Sequence, residues 1–323
     1  MAEKEPSNWQ QLINGEWHGL PSLYEPDGTH VGVNKVSRAS EHIDGRTLYW
    51  MNTEFDAVGP LRNRFEVGRF DFGVIDSDRD RIYTGPDFVG SGSPYGTLVD
   101  SEYFSPAWNT HLRTVNHVVP ELEMQVYSSL LFEGATLIGT FNGLYIVTND
   151  HETNPETQQR VADWLERERY EGKRTFVLPP KHAGQWSGEL EVYTPDQELV
   201  GTNKVTIDYT PVNLTRATMH VKTSGVIDSE YTYERTRDHN HHQYHGPDVF
   251  GNGMAYGRYL YSVQHLYGRA QRIESRDVLV NNVDKTLVVN WNYFYSQARK
   301  YTTHGVLRWE QGDEILGPKF IDA

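Results

Sequence analysis

Tyr259, Tyr261 and His265 lie two and four residues apart, so on an extended strand their side chains share one face. Imidazole titrates near neutrality and a phenol can donate to a developing oxyanion, so such a face could hold a flat phenolic or polyene ligand and move a proton. Trp291, Tyr293 and Tyr295 repeat the spacing near the C-terminus, and Tyr256 and Arg258 precede the first set. The run Asp238-His239-Asn240-His241-His242-Gln243-Tyr244-His245 adds four imidazoles. His239, His241 and His245 could share a strand face as a three-nitrogen metal site, but metal ligands usually come from several strands, so a solvated hairpin is the first expectation. The expected proton carriers are His265 or His245, with Tyr259 and Tyr261 donating. Tyr293, Tyr295, Trp291, Arg258, Tyr256 and His242 are expected to contact the ligand, with no metal and no cofactor. Whether these faces look inward or toward solvent is left open by periodicity alone.

These residues sit in a chain that was duplicated. Residues 24–36 (YEPDGTHVGVNKV) and 193–205 (YTPDQELVGTNKV) align without a gap, as do GPDFVGSGSPYG from Gly85 and GPDVFGNGMAYG from Gly246. Gly15-Glu16-Trp17-His18-Gly19 faces Gly184-Gln185-Trp186-Ser187-Gly188. The repeat is far longer than a solenoid unit, so each copy should carry its own core. Duplication also acts as a filter. Residues kept in both copies, such as Trp17/Trp186, Asp87/Asp248 and Tyr95/Tyr256, serve the shared fold, and polar residues private to one copy are site candidates. Leu98, Asp100 and Phe104 stand where the second copy has Tyr259, Tyr261 and His265, which points to the second copy. In the first copy, Glu66 beside Arg64 is a further candidate base.

Composition narrows the class. The 323 residues carry 30 Lys and Arg against 44 Asp and Glu, a net charge of −14, with no basic run, which argues against nucleic acid or anionic lipid as partner. The absence of cysteine removes disulfides and thiol chemistry. MAEKEPSNW is unlike a secretory signal and no stretch is apolar enough for a spanning helix, so a cytoplasmic location is expected. No dinucleotide, phosphate-loop, GxSxG or HExxH motif occurs.

The positioning elements are mostly strands. Phe70 to Val74, Tyr231 to Arg235 and Leu287 to Tyr295 alternate or are rich in β-branched and aromatic residues, and turn clusters recur between them. Glycines 90, 92, 96 and 251, 253, 257 suggest bends or bulges. One helix is predicted from Pro155 to about Glu171, capped by Asn154 and followed by Gly172, and a short turn from Ser7 to Leu12 should cover the bottom of the first domain.

A short helical lead-in followed by Gly-x-Trp on the first strand resembles the opening signature of the lipocalin-like, or calycin, barrels, and it occurs twice, at Gly15/Trp17 and Gly184/Trp186. The resemblance implies that each Trp closes a barrel end under an Arg from the last strand. Arg308 is placed for this in the second copy, where the first has Ile146. The superfamily's Thr-Asp-Tyr motif is not recognisable. The resemblance further implies an internal cavity for a hydrophobic small molecule, in a superfamily that includes carriers, pigment binders and enzymes. The expected architecture is all-β: two tandem lipocalin-like antiparallel barrels, residues 1–150 and 175–323, joined by a helical linker over 151–174. The expected function is cofactor-independent lyase or isomerase chemistry on an aromatic or isoprenoid-like molecule. The alternatives are a non-catalytic carrier or a pair of filled barrels serving as an interaction protein, and a homo-oligomer is compatible with each.

Overall fold

The computed structural model describes residues 5–43, 46–58, 68–176, 181–281 and 285–317. The chain divides into two compact units, Met1–Arg174 and Thr175–Ala323. Each is a closed antiparallel barrel of ten strands.

In the first unit, β1 (Glu16–Gly19) and β2 (Ser22–Tyr24) form one interrupted strand, since both pair with β3 (His30–Ile43) and with β11 (Thr136–Thr148). Pro21 lies at the interruption, where a residue without an N–H cannot serve a ladder. The sheet continues in sequence order through β4 (Arg46–Ala57), β5 (Gly68–Asp76), β6 (Arg81–Thr84), β7 (Val89–Tyr95), β8 (Leu98–Ser105), β9 (Thr110–Val119) and β10 (Met124–Glu133).

The second unit repeats the order from β12 (His182–Tyr193) through β13 (Leu199–Pro211), β14 (Arg216–Gly225), β15 (Ser229–Asp238), β16 (His241–His245), β17 (Val249–Tyr256), β18 (Tyr259–Leu266), β19 (Gln271–Asn281), β20 (Thr286–Tyr295) and β21 (Ala298–Glu314), which closes on β12. Here Leu190 stands at the position of Pro21 and the first strand is unbroken.

Conserved residues of the repeat have packing reasons. Trp17 and Trp186 are both buried at the start of their barrels. Asp87 and Asp248 lie in exposed turns. The repeated glycines act differently from the bends expected of them, because β7 and β17 pair with both neighbours without a register shift. A Cβ on Gly92 would meet the Tyr83 hydroxyl at 2.9 Å, and one on Gly253 would meet the Tyr244 hydroxyl at 3.0 Å. Each glycine therefore makes room for an inward tyrosine. Gly96 and Gly257, at φ +59° and +60°, shape the hairpin turns. Arg308 is also placed differently from the expectation. It is exposed, and its neighbour Trp309 packs on Trp186 at 5.3 Å between ring centroids. Alternation along the last strand puts Trp309 on the inner side, which leaves Arg308 outside.

The helix α1 (Asn8–Leu12) is capped by Ser7 and buries Trp9 and Gln10 in the first barrel. It completes a polar plug around Arg81, which is fully buried and paired with Asp76. Ser7 donates to Asp76 from its N–H at 2.9 Å and its hydroxyl at 2.7 Å. Arg81 donates to the Tyr49 hydroxyl at 2.9 Å, and Tyr49 to Gln10 Oε1 at 2.9 Å. The helix α2 (Pro155–Glu171) has Asn154 as N-cap and buries Val161. It stands between the two barrels in the chain, packs on β1 and β11, and falls within the first compact unit. No described helix is long and apolar enough to cross a membrane.

Replacing one member of a buried ion pair strands the other charge. Asp76→Ala is expected to cost about 3–5 kcal/mol in urea denaturation, with much of it recovered in Asp76→Leu/Arg81→Leu. A loss below about 1 kcal/mol for the single variant would show that the plug is not held by this pair.

Candidate functional site in the second barrel

Closure of the second barrel decides which half of each strand faces inward. On β15 the inward residues are Tyr231, Tyr233 and Arg235, on β16 Tyr244, on β18 Leu260, Ser262 and Gln264, on β19 Ile273, Ser275 and Asp277, and on β20 Trp291. Together with Phe176, Trp186 and apolar residues of β13 and β14 they surround a cavity of about 50 Å³. That is room for a few water molecules, well short of the roughly 300 Å³ of a typical ligand cleft.

An arginine and a carboxyl face this space, together with three tyrosines. Arg235 is buried, and its Nε and Nη2 donate to His242 Nδ1 at 3.0 and 2.7 Å. Its guanidinium lies 5.5 Å from the centre of the Phe176 ring. Burial, and then the charge of Arg235, push His242 down to about 2, so this imidazole is neutral and serves as an acceptor for the arginine. Among the described residues, Arg235 has no carboxylate in an ion pair.

Asp277 accepts a hydrogen bond from Trp291 Nε1 at 2.9 Å. Burial raises its carboxyl to about 7, against the lowering effects of the Trp291 bond, the Arg235 charge and Ser275. Desolvation wins because one indole N–H and an arginine already bonded to a neutral ring replace only part of the lost hydration. Burial also raises the phenols of Tyr231, Tyr233 and Tyr244, which keeps them as neutral donors. Ser262 and Ser275 are 2.6 Å apart through their hydroxyls and link β18 to β19 beside Tyr244. The assembly combines a carboxyl that exchanges its proton near neutral pH, a fixed cation and neutral phenols, framed by Phe176, Trp186 and Trp291.

Residues singled out from sequence fall into three groups. Trp291 lines the cavity, and Tyr293 and Tyr295 continue its face into the core, Tyr293 buried and Tyr295 partly so. Tyr259, Tyr261 and His265 do share a face, but it is the outer one, because Leu260, Ser262 and Gln264 take the inner. Tyr259 is buried there against Tyr256, at 6.1 Å between stacked rings, with Arg258 buried in the same turn. Tyr261 is half-buried and His265 exposed. None of these five reaches the cavity. In the histidine run, His239 sits at φ +52° in the turn between β15 and β16, and His241 and His245 are exposed. Only His242 points inward, and it reaches the site through Arg235. Among the described residues the run forms no cluster of three metal-ligating groups. Glu66 and Arg64 lie outside the described residues.

The residues that sequence reasoning passed over carried a signal. Glu234 pairs with His245 as Gly73 pairs with Thr84, so the two copies register at an offset of 161 here. On that offset Phe70, Phe72 and Val74 stand at Tyr231, Tyr233 and Arg235, and Arg81 at His242. The next strand pair places Asn116 at Asp277. Two phenylalanines became tyrosines and a valine became arginine on a strand whose alternation was already evident.

Asp277 offers a check on this geometry. Folding raises its carboxyl from the ordinary 3.8 to about 7, so the folded chain keeps a proton that the unfolded chain releases between those values. The stability this contributes is complete below about pH 4 and is lost as pH rises through about 7. Asp277→Asn, which can still accept from Trp291, is expected to be more stable than the parent at pH 8, by the order of 2–4 kcal/mol, and close to it at pH 4. Tryptophan fluorescence of the parent should titrate with a midpoint near 7. The same midpoint in Asp277→Asn would assign the transition to another group.

No protein-family model matches the chain, and no curated protein matches it. Among solved structures, a protein of unknown function from the DUF3598 family of Nostoc punctiforme aligns over 96% of this chain and 100% of its own, at 12% identity and a TM-score of 0.57. A putative outer membrane protein from Bacteroides fragilis reaches a TM-score of 0.22, and a Rhodopseudomonas blastica porin variant 0.20, too low to support any comparison. What the chain shares with the Nostoc protein is its fold, two closed barrels in tandem.

Proposed function

We propose that the second barrel is the acid–base site of a cofactor-independent isomerase or lyase acting on a small molecule with a flat apolar body and a carbonyl or anionic oxygen. The observation that carries this reading is Asp277, a carboxyl raised to about 7 in a cavity that also holds Arg235. A general base works best when its pKa lies near the working pH. A carrier for an apolar ligand gains nothing from burying an arginine and a carboxyl beside it, since desolvating both is costly. Descent of both barrels from a lipocalin-like ancestor is part of the proposal, supported by the duplicated Gly-x-Trp on each first strand.

The simplest reaction for this set is migration of a double bond. Asp277 removes a proton from the carbon beside a carbonyl, and the electron pair moves onto the oxygen, where Arg235 and a phenol stabilise it. The carboxylic acid then returns the same proton to the far carbon. No atom is gained or lost, and no cofactor is needed. Admitting a ring requires inner side chains to shift, and Met219 on the cavity wall is the most adaptable of them.

Exchange of the α-protons of β,γ-unsaturated cyclic ketones in D2O, followed by NMR, tests the chemistry. Exchange above buffer is expected, falling at least about 100-fold in Asp277→Asn. Quenching of tryptophan fluorescence by 2-naphthoate tests the pocket, with affinity expected to drop at least about tenfold in Arg235→Gln. Saturable quenching without exchange would favour a carrier, and neither signal would leave the barrel as a filled core.

A further inference from the structure

We propose that Glu16, His18 and His151 of the first barrel form a binding site for a divalent transition metal ion of the zinc class, with one coordination position left for water. Glu16 and His18 are two residues apart on β1, on the face opposite the buried Trp17, and His151 stands in the turn between β11 and α2. Glu16 Oε1 lies 3.4 Å from His18 Nε2 and 3.7 Å from His151 Nδ1, and the three ligand atoms all fall within 4.8 Å of one another. Ligand atoms of a tetrahedral zinc with bonds of about 2.0–2.1 Å are separated by about 3.4 Å, so the ion fits with only small side-chain movement.

The surroundings are built for the purpose. His18 is 1% exposed, and its Nδ1 contacts Ser37 Oγ at 3.1 Å, the kind of outer partner that orients a ligating imidazole. Thr148 Oγ1 approaches Nε2 at 3.2 Å. The turn carrying His151 is fixed from both sides. Asp150 accepts from Asn154 at 2.6 Å and from Thr157 at 2.8 Å, and the His151 carbonyl accepts from Gln158 at 2.9 Å. Glu16 and His151 are 16% and 27% exposed, which leaves the cluster open to solvent on one side.

An ordinary ion pair accounts for only part of this arrangement. One exposed imidazole would satisfy Glu16, yet a second one is buried against the first, 4.2 Å between ring centroids. Two nitrogens and one carboxylate suit zinc, cobalt, nickel or copper rather than magnesium or calcium. The second copy has Gln185 and Ser187 at the positions of Glu16 and His18, so the set is private to the first barrel and is not demanded by the shared fold.

Calorimetric titration of the chelator-treated full chain with zinc sulfate, paralleled by the visible absorption of bound cobalt(II), tests the assignment. One site per chain is expected, with Kd of about 1 µM or tighter and a cobalt spectrum of tetrahedral or five-coordinate type. His151→Ala and Glu16→Gln should weaken zinc at least about 100-fold with the circular dichroism spectrum unchanged. The double variant His239→Ala/His241→Ala in the exposed hairpin should bind as the parent does. Absence of a cobalt spectrum, or zinc affinity that survives His151→Ala or falls in the hairpin variant, would overturn the proposal.

Discussion

Closure of each sheet is the constraint from which the rest follows. Side chains alternate along a strand, so once the first strand pairs with the last, every residue is committed to the interior or the exterior, and a slip of one residue would exchange the two sets. The interior of a ten-strand barrel is too wide to fill with aliphatic groups of ordinary size alone. Both copies fill it with large aromatic residues and, unusually, with a buried arginine.

The two arginines are handled differently, and the difference sets the plug of the first barrel apart from the candidate site of the second. In the first barrel Arg81 is matched by Asp76 and surrounded by Ser7, Gln10, Tyr49 and Tyr83, so its donors are spent within the protein. In the second barrel the cation has moved from β6's equivalent to β15. Its partner is the neutral His242, and the carboxyl, Asp277, sits on β19 bonded to Trp291 instead. A charge that is not cancelled locally, next to an acid poised near neutrality, is costly to stability and useful to chemistry. The position of Ser7, whose hydroxyl and N–H complete the plug, is taken by Phe176 in the second copy, which offers the arginine a ring face.

The outer surface of the first barrel shows the same division of labour. Trp17 points inward in common with Trp186, while its neighbours Glu16 and His18 point outward and differ from Gln185 and Ser187. The α2 helix covers this surface through Val161, and the tight network of Asp150, Asn154 and Thr157 that begins the helix also sets His151 beside β1. A helix cap thus does two tasks, satisfying orphan backbone donors and placing an imidazole.

The sequence by itself determined the duplication, the all-β class with two barrels, the helix over 155–171 with its Asn154 cap, and the burial of Trp17 and Trp186. These follow from local periodicity, capping chemistry and internal comparison, which are all written along one chain. It also determined that Tyr259, Tyr261 and His265 share a face and that Trp291, Tyr293 and Tyr295 share another. Only tertiary structure decided that the first set faces out and the second faces in, because alternation has period two and no origin until the sheet closes. The same holds for Asp277 and Arg235, 42 positions apart in the chain, and for Glu16, His18 and His151. Asp277 and Arg235 come together because strands meet around a closed barrel, and His151 reaches Glu16 and His18 from the turn that precedes α2.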